Sequence, residues 1–127
     1  MKKQLEAVEK FHKAFGHPVK DNPDVGTLDL GDLRYALMKE ENEEYLDAVY
    51  KCDEVEIADA LGDQLYILCG TILAHGMQDI IEDVFDEIQR SNMSKLGEDG
   101  KPIYREDGKI LKGPGYFKPD LKRLLNK

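Results

Sequence analysis

Two groups of carboxylates, one helix apart, carry most of the chemistry this chain can offer. The first is Glu40, Glu41 and Glu44 within KEENEEYLDA, and the second is Glu56, Asp59 and Asp63 within EIADALGDQLYILCG. At about 100° per residue on a helix, Glu40, Glu41 and Glu44 project with Leu33, Leu37 and Ala48, along the apolar stripe rather than toward solvent. Asp63 is the sharper case. From Ala60 to Ala74 the polar side chains are Asp63, Gln64 and Thr71, so that helix is apolar almost all round and is expected to be buried. A lone ionised carboxylate in such surroundings is costly unless a cation meets it. Two helices that each turn carboxylates inward are most simply explained by a shared hard cation, which takes oxygen ligands.

The elements that must position these groups read as helices up to about residue 96. Residues 3–15 carry Leu5, Val8, Phe11 and Phe15 at helical spacing and are closed by Gly16 and Pro18. HPVKDNPDVGTLDLG, with two prolines and two glycines, reads as a loop. Asp29 or Asp32 can cap a second helix running to about Cys52, and Asp53 a third running to about His75, with Gly76 as its stop. A fourth runs from about Asp79 to Lys95 with Ile80, Val84, Phe85 and Ile88 apolar. Four helices with short connections predict an all-α, up-and-down four-helix bundle. Beyond it, residues 97–127 form an irregular tail: EDGK occurs twice, Asp107-Gly108 is a hairpin-type turn, and LKRLLNK can make a last helical turn or two. The 127 residues are expected to form a single domain, with a helical core at about 3–96 and a Gly/Pro-rich basic tail at about 97–127.

Charge and composition narrow the class. The net charge of −8 argues against a nucleic-acid partner. Residues 101–127 hold eight Lys/Arg against three Asp/Glu, a local +5 that leaves −13 for residues 1–100. An acidic body with a basic tail suits a metal bound by the one and an anion clasped by the other, and equally a tail docked on its own body. No apolar run reaches about 18 residues without a polar interruption, so no membrane span is expected. MKKQLEAVEKFHKAF has no apolar core and is no secretory signal, which points to the cytoplasm. Cys52 and Cys69, without a CxxC pair or zinc spacing, read as thiols of a reducing compartment. Glu9 and His12 make one ExxH, where a di-iron bundle would need two.

The chain resembles the all-α nucleoside triphosphate pyrophosphohydrolases, the MazG-like group that also contains phosphoribosyl-ATP pyrophosphohydrolases and dimeric dUTP pyrophosphatases. The resemblance covers roughly residues 8–120. The EExxE motif falls on Glu40, Glu41 and Glu44, and the context LGDQLYILCG places Asp63 as the aspartate of the family's ExxD. The chain departs from that motif at Ala60, where the glutamate belongs; Asp59 by a shift of one residue, or Glu56 from one turn earlier, stands in for it. SNMSK (residues 91–95) and GPGYFKPD (residues 113–120) resemble the tail of the MazG-like branch.

What the resemblance implies is a Mg²⁺-dependent hydrolysis of the α–β phosphoanhydride, with Mn²⁺ as a substitute ion, releasing a nucleoside monophosphate and pyrophosphate. Since both substrate and site are anionic, an ion must invert the local field. Glu41 and Glu44, one turn apart, would ligate it together, with Asp63 and Glu56 or Asp59 completing the cage. Glu40 would position or deprotonate the attacking water, or else remain a solvated carboxylate. Asn92, Lys95, Lys112 and Lys118 would meet phosphates, the alternative being a helix cap for Asn92 and solvated lysines in the tail. Arg34 is expected to pair with acidic neighbours, and Phe11, Phe15 and Tyr66 to belong to the core before they serve as base-stacking platforms. The implied role is nucleotide-pool housekeeping on dUTP-like or damaged nucleotides. Phosphoribosyl-ATP hydrolysis and a non-catalytic metal- or nucleotide-binding helical module are the alternatives. A third helix apolar all round leaves more surface than four helices cover, so a homodimer or homotetramer is expected.

Overall fold

α1 spans Lys2–Phe15, and its Leu5, Val8 and His12 fall on one buried face at helical spacing. It ends where Gly16 turns left-handed at φ 74° and returns its N–H to the His12 carbonyl. These and the following elements come from a computed structural model that describes residues 1–126, which divide into two compact units at Asp79/Ile80. The last residue of LKRLLNK lies outside the described residues.

In the first unit, α2 (Leu28–Tyr50) and α3 (Glu54–Ala74) are joined by only three residues and are therefore antiparallel neighbours. The helix start at α2 differs from expectation: Thr27, not Asp29 or Asp32, is the cap, its hydroxyl accepting from the Leu30 N–H at 3.1 Å. Asp29 lies in the first turn, where a carboxylate suits the positive end of the helix. Asp53 caps α3 as the sequence predicts, taking the N–H groups of Val55 and Glu56. The turn between the two helices places Cys52 at φ 52°, a left-handed position usually given to glycine. α3 packs on both α1 and α2. The loop before α2 is pinned across the end of α3, with Lys20 N–H on Leu73 O, Asp24 N–H on His75 O and Gln78 Nε2 on Lys20 O. Gly76 is required at that crossing: a Cβ there would lie 2.1 Å from the Asn22 carbonyl oxygen.

The expectation that α3 is buried all round is corrected. Ala60, Cys69, Gly70, Ile72, Leu73 and Ala74 are buried, but Leu61, Leu65 and Leu68 remain 50%, 43% and 46% exposed. Within the first unit α1 and α2 cover one side of α3, and periodicity identifies an apolar face without saying what covers it. By length and composition alone α3 could cross a bilayer; here Asp63 sits near its middle and its buried face meets two other helices.

The second unit is built on α4 (Ile81–Met93). Ile103–Tyr104 (β1) pairs antiparallel with Ile110–Leu111 (β2), and Gly108 at φ 87° closes the hairpin at the predicted Asp-Gly turn. α5 (Leu121–Leu124) follows, capped by Asp120. The two segments that carried the tail resemblance clasp one another. Gly113 donates to the Lys95 carbonyl at 2.8 Å, Ser91 Oγ donates to Phe117 O at 2.8 Å, and the Phe117 N–H reaches Ser94 Oγ at 3.2 Å. Gly113 admits no side chain, since a Cβ would come within 2.2 Å of the Leu96 carbonyl oxygen.

Candidate active site

The antiparallel register of α2 and α3 decides which side chains meet. Arg34 reaches Ile67 and Thr71, Asn42 accepts from Gln64 Nε2 at 3.1 Å, and Glu41 and Glu44 face Asp63. One carboxylate oxygen from each of Glu41, Glu44 and Asp63 can be chosen so that all lie within 4.8 Å of one another.

The electrostatics follow from that crowding. Burial, then a proton shared with Glu44, then the charges of Glu44, Asp63 and Glu40 push the half-buried Glu41 carboxyl up to about 7. Asp63 is also raised, by burial first and then by Asp59 and Glu44. Glu41 Oε2 is buried without a hydrogen-bond partner among the described residues. Carboxylates pressed together without an ion pair among the described residues, one oxygen of them without a partner, form a donor set that fits a hard divalent ion.

The remaining sequence candidates fall in different places. Glu40 is exposed and acts on Glu41 through its charge. Glu56 turns to Lys51, Oε2 to Nζ 3.6 Å, while Asp59 is close enough to raise Asp63. Both line a 240 Å³ cavity beside the triad together with Glu44, Asp47, Lys51 and Ala60. Ala60, at the position of the motif's glutamate, lines that cavity with its small side chain. Asp47 was not foreseen, although its spacing three residues after Glu44 put it on the same face. Asn92, Lys95, Lys112 and Lys118 belong to the second unit. There Asn92 lies within α4, Lys112 Nζ sits 4.7 Å from the Tyr116 ring centroid, and Lys118 is exposed.

Two expectations are corrected. Arg34 pairs with no acid among the described residues: its Nε donates to Thr71 Oγ1 at 3.0 Å and its Nη2 to the Ile67 carbonyl at 2.9 Å. Phe11, Phe15 and Tyr66 are not core residues but form a partly exposed aromatic cluster.

The family model described as phosphoribosyl-ATP pyrophosphohydrolase matches residues 8–92. Among solved structures, the chain is similar to a protein from Exiguobacterium sp. 255-15 provisionally named an NTP pyrophosphohydrolase, at 29% identity and a TM-score of 0.48, covering 95% of this chain and 90% of that one. No curated protein matched.

Proposed function

The chain belongs to the phosphoribosyl-ATP pyrophosphohydrolase family, within the MazG-like all-α pyrophosphohydrolases, and from that premise we propose that it cleaves the α–β phosphoanhydride of a (deoxy)nucleoside triphosphate. The products are a nucleoside monophosphate and pyrophosphate, and the pool it acts on is cytoplasmic dUTP-like or non-canonical nucleotide. The observation that carries the reading is the Glu41–Glu44–Asp63 triad with its orphaned Glu41 oxygen. Glu41, Glu44 and Asp63, with Asp59 in support, would hold magnesium, or manganese in its place, and the ion would supply charge neutralisation for the phosphates and the leaving pyrophosphate. Glu44 and Asp63, on facing helices, fix the position of the reacting phosphates by holding that charge in place. Glu41, whose carboxyl is pushed up to about 7 in the metal-free chain, would have to release its proton to solvent in order to serve as a ligand. Glu40, next to the triad and free of it, orients the attacking water and takes its proton. From the resemblance, Asn92, Lys95, Lys112 and Lys118 of the second unit are carried as candidate donors to phosphate oxygens.

A second reading, hydrolysis of phosphoribosyl-ATP, is favoured by the description of the matching family model. The exposed leucines of α3, with Tyr35 and Met38 of α2, are read as the face a second copy covers, giving a homodimer or a homotetramer. Sedimentation at micromolar concentration reads that directly; a monomer at all concentrations refutes it. For the activity, purified protein with Mg²⁺ or Mn²⁺ is offered normal, deaminated and oxidised triphosphates and phosphoribosyl-ATP, and pyrophosphate and orthophosphate are measured separately. Pyrophosphate from a triphosphate supports the first reading and pyrophosphate from phosphoribosyl-ATP alone the second. Release from neither leaves a binding module and overturns both.

A further inference from the structure

The cavity beside the triad contains one side chain that the proposed activity leaves unused. Its walls come from both helices of the hairpin: Glu44, Asp47 and Lys51 from the α2 side, and Glu56, Asp59 and Ala60 from α3. Glu44, Asp47 and Lys51 are spaced by three and then four residues, and so are Glu56, Asp59 and Asp63, so each set runs along one face of its helix. The register is fixed at both ends, by Lys51 Nζ on Glu56 Oε2 at 3.6 Å and by the convergence of Glu44 with Asp63. From the interhelical turn toward the triad the charges therefore come in three levels. Lys51 meets Glu56, Asp47 and Asp59 follow, and Glu44 with Asp63 close the series.

Among the described residues that line the cavity, Lys51 is the one cation, set against four carboxylates. It is the first residue beyond α2, and its backbone ends that helix, the N–H reaching the Asp47 carbonyl at 3.0 Å. Its side chain takes no part in that cap. The pair with Glu56 is exposed, 65% and 50% at the two side chains, and such a pair contributes little to the fold. Its effect is on local charge. Glu44 belongs to the triad and to this cavity alike. An ammonium at the cavity's turn end offsets part of the like charge gathered there, and it repels a divalent ion that enters.

Glu56 is the side chain that the pair withholds. Ala60 brings no ligand atom to the cavity, and Glu56, one turn earlier on the same face, is the next carboxylate of α3 beyond Asp59. Glu56 and Asp63 are seven residues apart, about 10 Å of helix rise. Over that span Glu56 would support an ion through one of the waters that magnesium keeps. Outer carboxylates of this kind are worth about 10-fold or more in metal affinity when they are free to act. Paired with Lys51, Glu56 is not free.

We propose that Lys51 sets the magnesium affinity of the site: it holds Glu56 at the turn end of the cavity while its own charge repels the ion, so the site fills only at a higher ion concentration than its carboxylates alone would need. Lys51 is a positioning residue, acting through Glu56 and through its field and touching neither ion nor phosphate. This rests on the metal reading above and is independent of which nucleotide is cleaved. The ammonium that eases crowding in the metal-free chain weakens the loaded one.

The experiment is calorimetric Mg²⁺ titration of the wild type, Lys51→Met, Lys51→Arg, Glu56→Gln and the double variant Lys51→Met/Glu56→Gln, with circular dichroism on each. Lys51→Met removes the charge from an exposed side chain and keeps its length, so the fold is kept. Expected are Mg²⁺ affinity about 10-fold tighter in Lys51→Met and a return to within about 3-fold of the wild type in the double variant. Lys51→Arg, which restores the charge, should bind as the wild type does. Unchanged or weaker binding in Lys51→Met overturns the proposal, and so does a gain that survives Glu56→Gln undiminished. Binding by Lys51→Met where the wild type shows none upholds it. No binding in any variant defeats the metal reading and the proposal together. Binding that follows the expected order without pyrophosphate release from any nucleotide upholds the proposal and defeats the pyrophosphohydrolase reading alone.

Discussion

Two glutamates of this chain keep opposite electrostatic company. Glu41 on α2 has Glu40, Glu44 and Asp63 as neighbours, and its carboxyl is pushed up to about 7. Glu87 on α4, 4% exposed, accepts from Arg90 Nε at 2.7 Å, from Arg90 Nη2 at 3.2 Å and from the Asp120 N–H at 2.7 Å, with Arg123 at 3.8 Å. Its carboxyl is held at about 2, chiefly by the Arg90 hydrogen bonds and then by the Asp120 amide. Arg90 in turn lies 4.3 Å from the Phe117 ring centroid. Glu87 is satisfied on every side and fastens the tail to its helix. Glu41 sits among like charges with an oxygen unpartnered among the described residues, an arrangement that costs stability.

The largest effect should come from the triad. Glu44→Ala and Asp63→Asn are each expected to lower pyrophosphate release by at least about 100-fold, beyond what loss of an outer supporting group costs, with the helical circular dichroism unchanged. Wild-type turnover in either variant would remove that residue from the site. The next effect separates the two glutamates by sign. Glu41→Gln is expected to stabilise the metal-free protein by about 1 kcal/mol after screening by solvent, a few degrees in Tm, and to abolish the stabilisation that Mg²⁺ gives the wild type. Glu87→Gln is expected to lower Tm, because two guanidiniums and an amide lose their acceptor charge. Equal signs for the two variants would break the contrast.

The contrast also extends to pH. Glu41 titrates ordinarily near 4.5 and in the folded chain near 7. Between those values the folded state keeps a proton that the unfolded chain has released, so the metal-free protein loses stability as pH rises through that window. Saturating Mg²⁺ should flatten the loss. Glu87 does the reverse: its contribution is complete above 4.5 and is lost as pH falls from 4.5 toward 2. Thermal melts at pH 4.5 and 7.5, with and without Mg²⁺, check the first; denaturation followed by tail amide exchange between pH 5 and 2.5 checks the second.

The helices were readable because their ends are written in local chemistry. Asp53 before α3 and Gly76 after it mark a start and a stop that need no tertiary information. The start of α2 was not, since Thr27, Asp29 and Asp32 are all able caps and residue type alone does not decide between them. The convergence of Glu41, Glu44 and Asp63 follows from a three-residue link, which leaves antiparallel helices little freedom of register. Arg34 is not readable from local sequence, because its partners, Ile67 O and Thr71 Oγ1, lie across the hairpin. Phe11 and Tyr66 were misjudged for a related reason: spacing identifies an apolar face but not what covers it.

The smallest effect concerns the position that departs from the family motif. With Ala60 in place of a glutamate, Glu56 and Asp59 compete for the supporting role, and their surroundings differ. Glu56 already has Lys51 as a partner at 3.6 Å, an exposed pair of little energetic weight that nonetheless draws its carboxylate toward the far side of the cavity. Asp59 has no such partner among the described residues, and its charge raises Asp63 more than that of Glu44 does. Asp59→Asn should therefore weaken Mg²⁺ affinity about 10-fold, the lower range for a group that supports a ligand, and let the Asp63 carboxyl relax toward its ordinary value. Glu56→Gln should change affinity by less than about 3-fold. Calorimetric Mg²⁺ titration reads both, and a reversed order would mean that Lys51 releases Glu56 to the ion once the site is loaded.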